Sequence, residues 1–122
     1  LKSGAVATSV AHDSHNIISV GCNDGDIAVA VNAIKDSKGG IAVVENGKIK
    51  ALLELPIAGL MSDEPLTTVN EKLENAKLSA YELGADKSID PFMTLSFLSL
   101  PVIPSLRITT KGVFDAENWK ML

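Results

Sequence analysis

The side chains best suited to chemistry lie in one run, His12-Asp13-Ser14-His15-Asn16. Imidazole, carboxylate, hydroxyl and amide groups donate, accept and shuttle protons near neutral pH. Both histidines of the chain are in this run. A histidine beside Asp13 suits acid–base work, although no nucleophile motif surrounds Ser14. The pair could also ligate a metal, with Asp13 or distant carboxylates completing the set. There is no third histidine and one isolated cysteine, so the chain does not supply a structural zinc site. The plain alternative is a strand crossing whose polar side chains satisfy each other and the loop backbone.

Other candidates are weaker. Gly21-Cys22-Asn23-Asp24-Gly25-Asp26 enters a helix as phosphate loops do. Its two aspartates would repel an anion, and its glycine spacing fits neither nucleotide pattern. Helix capping explains it better, with Cys22 a small buried apolar residue. Met61-Ser62-Asp63-Glu64 sets carboxylates beside an apolar loop, where capping or contact with a ligand would both use them. The aromatic residues Phe92 and Phe97 read as core.

The secondary structure around the run follows from pattern. Residues 5–11 and 17–21, rich in β-branched side chains, read as strands on either side of it. Asn23 and Asp26 form a carboxylate variant of the capping box ahead of a helix over residues 24–37, which stops before Gly39-Gly40. Ile41-Ala42-Val43-Val44 has no polar face and reads as a central strand. Asn46-Gly47 is a type I′ turn signal, and residues 48–55 alternate as its partner strand. Pro56 to Met61 is an apolar loop, which must be buried or must cover something. Ser62 then caps the longest helix, whose apolar stripe is Leu66, Val69, Leu73, Ala76, Ala80 and Leu83, with Gly84 as its stop. Asp90-Pro91 starts a short helix. Pro101 and Pro104 hold Val102-Ile103 extended, and residues 106–115 form a strand, a turn and a short partner. Exposed apolar surface is expected near Ile57–Met61 and Val102-Ile103. The pattern predicts an α/β, α+β-like sandwich, with a mixed β-sheet and two main helices packed on it.

Composition bounds the function. A chain of 122 residues, 46% hydrophobic, makes one domain with a single core and is not disordered. The net charge of −4 points away from nucleic acid and anionic membranes. One cysteine excludes an internal disulfide and favours a reducing cytoplasm. No apolar run approaches a membrane span. The start at Leu1 without Met predicts a fragment of a longer protein.

Three long runs then become familiar. Ala5-Val6-Ala7-Thr8-Ser9-Val10-Ala11-His12-Asp13-Ser14-His15-Asn16-Ile17-Ile18 resembles the C-terminal domain of bacterial and archaeal adenine deaminases of the amidohydrolase superfamily. So do Leu55-Pro56-Ile57-Ala58-Gly59-Leu60-Met61-Ser62-Asp63-Glu64-Pro65 and the stretch Asp90 to Pro104, in the same order. The resemblance covers roughly Gly4 to Asp115.

It implies part of an enzyme that hydrolyses adenine to hypoxanthine and ammonia, a step of purine salvage. A divalent metal, manganese or iron, would sit in a preceding barrel whose ligand set is not in these residues, so residues 1–122 would be a single C-terminal domain without a metal. The expected roles are catalytic support by His12, Asp13 and His15, and substrate contact by Ser14, Asn16, Met61, Ser62 and Asp63. The expected partners are adenine, the enzyme's own barrel and a further copy in a homo-oligomer. A structural or oligomerisation module is the alternative role.

Overall fold

Four strands carry the fold: Ala5–Thr8 (β1), Ile18–Gly21 (β2), Gly40–Glu45 (β3) and Lys48–Glu54 (β4). In the computed structural model, which describes residues 1–122, they form one sheet in the order β2-β1-β3-β4. β1 and β3 are central and bury both faces, which is why neither alternates in polarity. Asp24–Asp36 (α1) covers one face, with Ala30 and Ile34 against Ala5, Ala7, Ala42 and Val44. The alanines let helix and sheet approach closely. Leu66–Glu82 (α2) and Pro91–Leu98 (α3) cover the other, with Ala76, Ala80, Phe92 and Leu95 against Val6, Ile41, Val43, Ala51 and Leu53. Full burial of a side chain such as Ile34 contributes about 2–3 kcal/mol.

The α+β sandwich with helices packed on a sheet agrees with the sequence pattern. The mixed sheet does not: every pairing is antiparallel. The α1 crossover joins β2 to β3, which run the same way, but β1 lies between them. Each strand therefore meets only opposed neighbours.

Local signals explain most element ends. Asn46 and Gly47 both have positive φ, 53° and 73°, as the turn between β3 and β4 requires. Asn23 caps α1 by accepting from the Asp26 N–H at 2.8 Å. Asp26 accepts from the Asn23 side-chain amide at 2.8 Å and from the Gly47 N–H at 2.7 Å, so one buried carboxylate joins the helix start to the hairpin turn. Asp90 caps α3 through the N–H groups of Phe92 and Met93, and also pairs with Lys77 of α2 at 3.1 Å.

Further expectations fail, among them Phe97, which is 44% exposed rather than core. Ser62 does not cap α2, which begins after Pro65 with no side-chain cap. The Ser62 hydroxyl instead accepts from the Glu64 N–H, and Glu64 reaches forward to Lys72 at 2.6 Å. Leu66 is consequently outside the apolar stripe and 82% exposed. Cys22 is exposed rather than buried, because its backbone N–H is held to Gly4 O between β2 and the helix cap while its side chain points outward.

The bonds to Asn23 and Gly47 hold the Asp26 carboxyl below its ordinary pKa, against the opposing effect of burial. A lowered folded pKa contributes stability above the unfolded value, and the contribution is lost as pH falls through the folded one. Asp26→Ala is therefore expected to lower Tm by about 5 °C or more at neutral pH. Thermal melts from pH 7 downward should show this difference intact above about pH 5 and shrinking below about pH 4. A difference independent of pH would contradict the carboxylate's role.

Candidate functional site

The sheet register fixes where the loops emerge. Thr8 pairs with Ile18 and with Ile41, and Gly40 pairs with Glu54. The end of β1, the starts of β2 and β3 and the end of β4 therefore share one end of the sheet. The polar run, between β1 and β2, and the apolar loop after β4 both leave from that end. Ser9 ties them together: its hydroxyl donates to Gly59 O at 2.6 Å and accepts from the Gly40 N–H at 2.8 Å. The loop closes on itself through paired Ile57 and Met61 backbone bonds of 3.0 and 3.1 Å.

The backbone of the polar run is anchored to α3. The His12 N–H donates to Ser96 O at 3.0 Å, and the Ser99 hydroxyl donates to His12 O at 2.6 Å. The His12 ring stacks on Phe97 with centroids 5.4 Å apart. The side chains behave differently. All five, His12 through Asn16, are exposed, and their only hydrogen bond is Asn16 Nδ2 donating to Ser14 Oγ at 3.1 Å. The backbone is fixed, the His12 ring is stacked on Phe97, and the His15 imidazole and the Asp13 carboxylate make no side-chain hydrogen bond.

The candidate residues divide among three places. His15 lines a cavity of about 290 Å³ with Ser9, Lys35, Lys38 and the loop residues Pro56, Ala58 and Gly59. Ser14 and Asn16 line a second, larger groove of about 890 Å³ beside Arg107 and Thr109. Met61 and Asp63 are exposed and line neither, and Ser62 is committed to its local turn. Ile57, Met61 and Val102 expose 45%, 58% and 53% of their surface, so apolar side chains do face outward at both segments singled out in the sequence. Lys35, Lys38 and Arg107 had no sequence signal; only the fold brings them to this end.

His12 and Asp13 line neither cavity, so the candidate residues do not converge on one pocket. No three His, Cys, Asp or Glu side chains converge to hold a metal ion. The residues present therefore do not fit a metal centre. No helix is long and apolar enough to cross a membrane.

Comparison with known proteins agrees with the resemblance. The family model described as adenine deaminase C-terminal domain matches residues 1–120. The adenine deaminase of Bacillus pumilus is 51% identical over all of this chain, which covers 21% of that protein. That of Clostridium acetobutylicum is 54% identical, again over the whole chain and 22% of the relative. That of Desulfatibacillum aliphaticivorans is 56% identical over 96% of the chain and 20% of the relative. The chain thus spans about a fifth of the length of these curated relatives. Matched end to end at this level, it belongs to the family of adenine deaminase C-terminal domains.

Proposed function

We propose that this chain is the C-terminal domain of a cytoplasmic adenine deaminase and that it closes over the active site of the enzyme's barrel. The amino group of adenine leaves as ammonia, so a proton must reach that nitrogen, and the ring nitrogens need donors and acceptors. His12 and His15 offer imidazole ring nitrogens and Asp13 a carboxylate acceptor. Ser14 and Asn16 add hydroxyl and amide contacts. The Pro56–Met61 loop beside them excludes water from the reacting centre. The metal chemistry of the reaction, with manganese or iron, belongs to the barrel.

The observation that carries the reading is the uncommitted state of the side chains on an anchored backbone.

The reading divides the labour between two parts of one polypeptide, and ammonia release tests that division. The 122-residue chain with adenine and excess Mn²⁺ or Fe²⁺ is expected to release none above background. The full-length polypeptide under the same conditions should release it. Turnover by the chain alone, or none by the full-length protein, would overturn the reading.

A further inference from the structure

Residues Leu106–Thr109 (β5), Gly112–Asp115 (β6) and Lys120–Met121 (β7) form a second sheet in the order β5-β6-β7. Its strands are short, yet it has no core of its own. Neither hydrophobic cluster of the domain includes a residue beyond Leu95. The only buried residue from 104 onward is Asp115, whose carboxylate is used by its own turn. The pairing register puts Leu106, Ile108 and Val113 on one face, and they are 53%, 88% and 38% exposed. Trp119 is 68% exposed. No hydrogen bond or ion pair joins residues 104–122 to the body; their side-chain bonds all stay within the segment. A small sheet whose apolar face is wet is marginal in water.

The groove between this sheet and the body indicates what would cover that face. Its walls are the edge strands β2 and β5, and no acidic residue lines it. Arg107, the single arginine of the chain, lies in it. Its terminal nitrogens donate to the Pro104 and Leu106 carbonyls at 2.8 and 2.9 Å, and its Nε is buried without a partner. Every ion pair in the chain uses a lysine, so this guanidinium has no carboxylate. Ser14 and Asn16 form the opposite wall, so whatever fills the groove also meets the polar run. Relatives carry about four-fifths of their length outside the matched region, enough to supply a covering surface within one polypeptide.

We propose that β5–β7 are a docking arm that packs on the catalytic part of its own polypeptide, with Arg107 receiving a carboxylate from that part in the groove. The inference rests on the reading that this domain serves a larger deaminase. Amide hydrogen exchange of the full-length enzyme tests it, with ammonia release from adenine measured on the same sample. In the wild type, the β5 and β6 amides should be protected at every protein concentration. Ile108→Asp should speed their exchange by about 100-fold or more and leave β1 and β3 unchanged. Arg107→Gln should produce a smaller increase at the same amides. Unprotected arm amides in an enzyme that releases ammonia would overturn the docking arm alone. Protection that vanishes on dilution to the monomer would also overturn it, since the cover would then be a second copy. Absence of ammonia release would instead strike the larger reading.

Discussion

Gly39→Ala should destabilise the domain by roughly 3 kcal/mol and release the 56–61 loop from the sheet end. Gly39 follows α1 with φ 134°, a conformation that L side chains rarely adopt. A Cβ there would stand 2.2 Å from Gly59 Cα and 2.7 Å from Leu55 O, both backbone atoms with nowhere to go. The same backbone is a junction: Gly39 O accepts from the Leu55 N–H at 2.9 Å, and the next residue donates to Ser9. Displacing it loosens the loop that adjoins His15. Gly59→Ala is the control. Its φ is also positive, at 73°, but its nearest neighbours would be 3.6 Å away, in ordinary contact. It should cost only about 1–2 kcal/mol, the strain of a left-handed residue. Urea unfolding with unchanged m-values would compare the two. A Gly39→Ala midpoint equal to that of Gly59→Ala would show that the close approach is not what holds the loop.

Much of this architecture is written in short-range chemistry. Asn46-Gly47, the Asn23 cap and Asp90-Pro91 each specify one backbone conformation through adjacent atoms, and each forms as the sequence predicts. Features decided at longer range were not legible in this way. Nothing in Ala5-Val6-Ala7-Thr8 states that β1 lies between β2 and β3, although its burial on both faces follows from that position. Ser62 is a fitting cap residue by type, but Pro65 and the Glu64–Lys72 pair shift the start of the helix. The two-residue strand β7 is too short and too polar to carry a pattern. The candidate site shows the same division. The His12–Asn16 run stands out by composition. Its companions Lys35 and Lys38 come from the last turn of α1 and the turn just after it, which only the crossover brings beside the β1 end. Arg107 arrives from a separate sheet. The apolar loop after β4 was visible as an anomaly, and its tie to Ser9 gives that anomaly a position.

The central claim is that the free side chains of the polar run act on the substrate. It is tested by turnover and thermal stability measured together on His12→Ala, Asp13→Ala and His15→Ala in the full-length enzyme. Asp13 and His15 make no side-chain hydrogen bond in this chain, so their removal costs the fold little. Each should lower kcat/KM for adenine by roughly 100-fold with Tm nearly unchanged. His12→Ala also removes the stack on Phe97, so it should lower Tm as well as turnover. If all three variants keep wild-type kcat/KM per folded molecule, the run is architecture and the claim is wrong.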